Sequence, residues 1–120
     1  MQTIPPASVP ASIVCVQGIP VVSISGRLDT VSAPVFDAQT AALFEEKYPR
    51  ILLDASAMTY VSSVGLRSIL RIIKHTSQRG GRTGIFSVPP QILEVIEISG
   101  FQRLLDIYPD KETALNGSAG

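Results

Sequence analysis

Arg50 to Gly81 reads RILLDASAMTYVSSVGLRSILRIIKHTSQRGG, and its two ends carry different periods. Arg50-Ile51-Leu52-Leu53-Asp54 is a short apolar run with an acid at its end, the mark of a buried strand. From Ser62 or Ser63 onward, Leu66, Ile69, Leu70 and Ile73 recur at i, i+3, i+4 and i+7. Arg67, Arg71, Lys74 and Gln78 fall on the opposite face, so this half is an amphipathic helix. Gly80-Gly81 stops it. Ala55 to Val61 between them reads as a loop. Ile69-Leu70-Arg71-Ile72-Ile73 holds more apolar residues than one stripe needs, so Ile72 is expected to lie partly exposed.

The flanks repeat the alternation. Upstream, Ser12–Gln17 and Val21–Ser25 are β-branched runs around the turn Gly18-Ile19-Pro20, a hairpin pattern. Cys15 sits in the middle of the first run and is expected to be buried and inert. Gly26 to Val31 reads as a loop. A helix then starts near Ser32, with Pro34 in its first turn and Phe36, Leu43 and Phe44 on one stripe, and runs to about Tyr48, where Pro49 ends it. Downstream come a strand at Thr83–Val88, a helix at Gln91–Ile98 with Ile92, Val95 and Ile96 inward, a strand at Leu104–Tyr108 and a last helix at Lys111–Asn116. The order ββαβαβαβα implies a single α/β domain: a mixed sheet of about five strands, opened by a β-hairpin, with helices packed against it. Residues 1–11, with Pro5, Pro6 and Pro10, read as a flexible lead-in, 12–116 as the domain and 117–120 as a flexible tail.

The chain has 120 residues, 45% hydrophobic and 17% charged, enough apolar material for one core without disulfides or metals. Lys+Arg and Asp+Glu both total 10, so no basic excess points to nucleic acid. One cysteine excludes an internal disulfide. The start Met1-Gln2-Thr3-Ile4-Pro5-Pro6 lacks the basic and apolar regions of a secretory signal. The longest apolar runs fall short of the ~18 residues of a membrane span. The expectation is a cytoplasmic protein without membrane insertion. No metal-ligand cluster, P-loop or Gly-x-Gly-x-x-Gly run occurs, so neither metal nor cofactor is expected.

The strongest local feature is Val61-Ser62-Ser63-Val64-Gly65-Leu66, two serines at a helix start. One reading is an N-cap, worth roughly 1 kcal/mol. The other is a phosphorylation site, since a helix start offers free N–H donors and a favourable dipole to a phosphate. A serine nucleophile would need a base. The single histidine, His75, lies 12 residues on along the same helix, about 18 Å away at 1.5 Å per residue. A Ser–His pair within the chain is therefore excluded, and the protein is not read as an enzyme. His75 itself is expected on the polar face near the helix end. Asp29 and Asp54 fall near strand ends. They either bond their own loops or form a small acidic pocket beside Ser63. A phosphate-accepting Asp54 would need further carboxylates at the end of the first strand, where the sequence is Val-Cys-Val-Gln-Gly.

Four motifs together resemble one family. Gly26-Arg27-Leu28-Asp29-Thr30, Ile51-Leu52-Leu53-Asp54, Tyr60-Val61-Ser62-Ser63-Val64-Gly65-Leu66-Arg67 and Ile98-Ser99-Gly100-Phe101 follow the order and spacing of the STAS domain of bacterial anti-sigma factor antagonists, over roughly residues 12–116. The resemblance implies a partner switch. The unmodified antagonist binds an anti-sigma factor that is also a serine kinase of the GHKL type, and the sigma factor is freed. Phosphorylation of the serine matching Ser63, with Ser62 the second choice, reverses binding, and a PP2C-type phosphatase resets it. Asp29, Thr30, Ser62, Ser63, Val64 and Arg67 are implied as the docking surface. Where many members carry Asp before the acceptor, this chain has Ser62. The alternative is a STAS module serving as a fixed structural subunit of a transporter-associated or sensory complex, its serines only caps.

Overall fold

The computed structural model describes residues 10–117. The elements are β1 (Ala11–Val16), β2 (Ile19–Leu28), α1 (Ala33–Thr40) continued by a 3-10 segment (Ala41–Glu45), β3 (Arg50–Val61), α2 (Ser63–Gln78), β4 (Arg82–Phe86), α3 (Pro90–Ser99), a 3-10 turn (Phe101–Arg103), β5 (Leu105–Tyr108) and α4 (Lys111–Gly117). The five strands form one sheet in the order β1-β2-β3-β4-β5. β1 and β2 are the antiparallel hairpin and every later pair is parallel. This is the α/β domain with a mixed sheet that the periodicity implies.

β3 explains the layering. Ile51 and Leu53 join the larger core with Phe36 of α1, Ile69, Ile72 and Ile73 of α2, and Ile92 and Ile96 of α3. Leu52, one residue out of phase, joins Val21, Phe86 and Ala114 of α4 on the other side. A strand buried on both faces must be apolar at successive positions, which is why Ile51-Leu52-Leu53 is an unbroken run.

Four expectations are corrected. First, Ala55 to Val61 is strand, not loop, and β2 likewise continues through Gly26, Arg27 and Leu28. Between Ser23 and Ser25, and again between Gly26 and Arg27, β3 advances one residue further than β2. These are β-bulges, and each inserts an unmatched residue. Burial on β3 therefore falls at Ala55, Met58 and Val61, every third residue, and the alternation that would announce a strand is lost. Second, the α-helix from Ala33 ends at Thr40 instead of Tyr48. The Thr40 hydroxyl donates to the Phe36 carbonyl at 3.0 Å, a back-bond that perturbs helices. The chain tightens into the 3-10 segment, with Leu43 inside and Phe44 half-buried.

Third, Ile72 is 0% exposed. The inner stripe of α2 runs Gly65, Ser68, Ile69, Ile72, Thr76, with Leu66 and Leu70 at its edges. The polar names Ser68 and Thr76 concealed it; the Thr76 hydroxyl is satisfied by Ile73 O at 3.0 Å and Thr83 Oγ1 at 2.8 Å. Fourth, Ala11 belongs to β1, not to a lead-in. It is buried, and Gln39 brackets it: Ala11 N donates to Gln39 Oε1 at 3.1 Å and Gln39 Nε2 to Ala11 O at 3.0 Å. The rest of the expected lead-in up to residue 9, and residues 118–120 of the expected tail, lie outside the described residues.

Candidate functional site

The serine pair sits where β2, β3 and α2 converge. Leu28 and Val61 are the last paired residues of their strands. Directly after them, Ser62 N donates to Leu28 O at 3.0 Å. Ser62 is the N-cap of α2, in extended conformation, and its hydroxyl accepts from Gly65 N at 3.2 Å. Gly65 is required here. A Cβ at this position would collide with the Leu28 carbonyl oxygen, so only glycine lets the helix seat this close to β2. Two serines adjacent in sequence thus receive different work. Ser62 is half-buried and spent on the cap. Ser63, the first helical residue, is exposed, and its hydroxyl makes no hydrogen bond within the described residues.

The loop beside it is built by Asp29. Its Oδ1 accepts from Val31 N and Ser32 N, each at 3.1 Å, and its Oδ2 from Arg27 Nε at 3.1 Å. Ser32 closes the loop: its Oγ accepts from Asp29 N at 3.0 Å and donates to Arg27 O at 2.6 Å. The Ser32 backbone N–H foremost, then the Arg27 side chain and the Val31 N–H, hold the Asp29 carboxyl below its ordinary value against a smaller opposing effect of burial. Asp29 therefore shapes the loop and keeps little of its carboxylate for a partner. Ser32 starts α1 as expected, but its hydroxyl serves this loop and makes no bond to the helix.

What the loop displays is largely apolar. Val31 is 84% exposed, Val35 on α1 49% and Tyr60 42%. The Arg27 guanidinium lies over the Tyr60 ring, 4.1 Å from its centroid, a cation–π contact. Thr30 is exposed, Val64 half-buried, and Arg67 exposed one helical turn beyond Ser63 on the same side. Arg27, Val31, Val35 and Tyr60 were not singled out from sequence. The available signal was Val31, an isolated apolar residue in a polar loop.

The STAS domain family model matches residues 11–114. The chain is a member of the STAS family. A protein of Bordetella bronchiseptica named as a candidate anti-sigma factor antagonist, BtrV, is 29% identical over 99 residues, covering 82% of this chain and 85% of its own. A crystal structure of an anti-sigma factor antagonist from Mycobacterium paratuberculosis is similar with a TM-score of 0.84 at 26% identity, covering 97% of this chain and 98% of that one. The unphosphorylated form of the anti-sigma factor antagonist SpoIIAA shares the fold, with a TM-score of 0.71 at 18% identity over 92% of this chain and 98% of that one. Among the described residues of this STAS protein no helix is long and apolar enough to cross a membrane.

Within the STAS domain three expected placements change. Asp54 does not share a pocket with Asp29. It sits across from Ser23, whose Oγ donates to it at 3.4 Å, and takes Ser56 N at 3.0 Å. Asp29 follows Leu28, opposite Val61; seven residues of strand separate that point from Asp54, roughly 20 Å at ~3.3 Å each. The acidic pair is two separate loop and strand anchors. His75 is not on the polar face. It is 5% exposed, under the ring of Phe44 at 5.2 Å between centroids, because the 3-10 segment brings Phe44 across α2. Burial first, then the Arg79 charge, depresses its pKa below the ordinary 6.5. Cys15 is exposed, because β1 is an edge strand.

Proposed function

We propose that this STAS protein is an anti-sigma factor antagonist switched at Ser63. The unphosphorylated face around Ser63 binds an anti-sigma factor that is a serine kinase of the GHKL type and so frees the sigma factor. Phosphorylation of Ser63 dissolves the complex, and a PP2C-type phosphatase restores it. The observation that carries this reading is the division of labour between the serines. Ser62 is committed to the cap, while Ser63 stands exposed at the first position of α2, directly after the paired ends of β2 and β3. The names of the relatives support the general role, and the description of SpoIIAA by its unphosphorylated form supports control by phosphate.

Energetics decide where the switch acts. Moving a complex from 99:1 bound to 1:99 takes about 5.5 kcal/mol. Inside the domain, the helix dipole offers a phosphate ~0.3–1 kcal/mol, and a pairing with Arg67 one turn on adds a few tenths. Neither is large enough, and both leave the fold unchanged. The release comes from the cost of desolvating a dianion against the apolar docking face, several kcal/mol. The test is intact mass after incubation with a candidate GHKL kinase and ATP, for wild type, Ser63→Ala and Ser62→Ala. One added phosphate, lost only in Ser63→Ala, is the expected result. An unmodified wild type, with the kinase proven active on its own substrate, would leave a constitutive binding module.

A further inference from the structure

The two edges of the sheet are not protected alike. β5 has only four residues, and its Asp106 is paired with Arg82 at 3.0 Å. Short edge strands and edge charges deter pairing with another chain. β1, the opposite edge, lacks such devices. Its six residues, Ala-Ser-Ile-Val-Cys-Val, carry no charge and no proline, and its register with β2 runs from Ala11 to Val16 without a bulge. Val14 is 62% exposed, and Cys15 is exposed beside it.

The ladder fixes which backbone groups of β1 are free. In an antiparallel pair, bonded and non-bonded residue pairs alternate, and residues of the non-bonded pairs turn their N–H and C=O to the other side. Ser25 N donates to Pro10 O at 2.9 Å, so Pro10 faces β2, and Ser12, Val14 and Val16 follow in step. Ala11, Ile13 and Cys15 therefore face outward. Pro20, which has no N–H, stands opposite Cys15 as this phase requires. The outward N–H and C=O of Ala11 are the two groups that Gln39 holds, so its amide fills the edge there as a neighbouring strand would. At the other end Gln17 has φ 55° and the chain turns away. Between these limits the N–H and C=O groups of Ile13 and Cys15 point outward with no partner among the described residues.

We propose that β1 pairs antiparallel with β1 of a second copy of this chain, about a two-fold axis at Val14. This register uses every free group. Ile13 faces Cys15 of the second copy, and Cys15 faces Ile13 of the second copy, which makes four N–H···O bonds while Gln39 stays in place. A slip of two residues either way needs Ala11, already held by Gln39, or Gln17, outside the strand. At the axis the two Val14 side chains meet as a non-bonded pair, where strands approach most closely. No like charges oppose each other along the strand. Such self-complementarity is what a two-fold contact demands. The contact is small, so the dimer is weak and transient. β2 separates it from β3 and the Ser63 end of α2, so it does not rest on the switch.

The experiment takes the full chain from micromolar to millimolar concentration. Sedimentation equilibrium should show monomer giving way to dimer, and amide exchange at Ile13 and Cys15 should slow in parallel. Val14→Lys and Val14→Glu should each weaken the dimer about tenfold by setting like charges directly opposite, and a mixture of the two should recover it. Val14→Cys in a Cys15→Ser background should cross-link on mild oxidation, its α-carbons lying ~4.5 Å apart in a non-bonded pair. Wild-type Cys15 should not, since its counterpart lies two residues along the neighbouring strand, roughly 8 Å away. A chain that stays monomeric into the millimolar range, a dimer indifferent to Val14→Lys and Val14→Glu, or wild type cross-linking as fast as the Val14→Cys variant would overturn the proposal. Slow exchange at Ile13 and Cys15 that dilution leaves unchanged would do the same, because the edge is then covered from within one chain.

Discussion

At its first turn helix α2 leaves a hydroxyl, Ser63, in solvent and ties its own backbone to the end of β2. At its last turn it draws an imidazole, His75, beneath an aromatic ring. The first end is closed in its backbone and open in its side chain. Ser62 and Gly65 consume the local donors and the local space, and what remains is a reactive group held at a fixed place. The other end is the reverse. Gly80 and Gly81 finish the backbone through Ser77 O and Thr76 O, yet polar side-chain atoms stay buried and unpaired. One helix therefore shows a hydroxyl to solvent at one end and hides an imidazole at the other. The middle that separates them is hydrocarbon.

That middle supplies the largest expected effect. Ile72 is wholly buried between the two ends. Ile72→Ala should cost ~2–5 kcal/mol in urea unfolding, and a loss below ~1 kcal/mol would mean that α2 turns its edge rather than Ile72 to the core. Next comes the seat of the first turn. Gly65→Ala must push α2 away from the Leu28 carbonyl, at ~1–3 kcal/mol. Amide exchange at Ser62 should accelerate at the same time, since its N–H is bonded to that carbonyl. Unchanged exchange would show that the strand end moves with the helix.

The serines give a smaller contrast. Ser62→Ala removes the cap and should cost ~1 kcal/mol, while Ser63→Ala should stay within ~0.5 kcal/mol. Equal losses would erase the division of labour on which the Ser63 assignment rests. The smallest effect belongs to the far end and appears as a pH slope. His75 is neutral when folded because burial lowers its pKa, and the unfolded ring takes a proton near pH 6.5. Its contribution is whole above that pH, is lost as pH falls from there toward the lower folded value, and then levels off. Asp29, with its carboxyl held below the ordinary 3.8, titrates at more acid pH and does not overlap. Urea midpoints from about pH 8 to pH 5 should show the slope in wild type and lose it in His75→Gln.

Helices α2 to α4 and the short strands were legible because each keeps one period. Leu66, Ile69 and Ile73 announced α2, and Ile51-Leu52-Leu53 announced a strand covered twice. The far half of β3 was not legible, because two bulges turn a period of two into a period of three and the tip then reads as a loop. The same bulges fix the register, so the separation of Asp29 from Asp54 could not be read either. His75 and Cys15 were misplaced for a shared reason. Burial there depends on what lies beside the element, a 3-10 segment over His75 and nothing beyond edge strand β1, and neither neighbour is written in the local pattern. Ser62 and Ser63 were visible as a pair. Their separate duties needed the Leu28 carbonyl, thirty-odd residues earlier in the chain.

β4 accompanies β3 only over Arg50–Asp54, whereas β2 stays with it to Val61. Past Ala57, among the described residues, β2 and β3 pair only with each other, and Ser63 follows their ends. That two-stranded ribbon is braced rather than loose, because Leu28, Met58 and Val61 are buried in the core and Gly65 seats α2 against the Leu28 carbonyl. The place of Ser63 is therefore set from inside the ribbon, by buried side chains that anchor the tip rather than by the exposed ones around it.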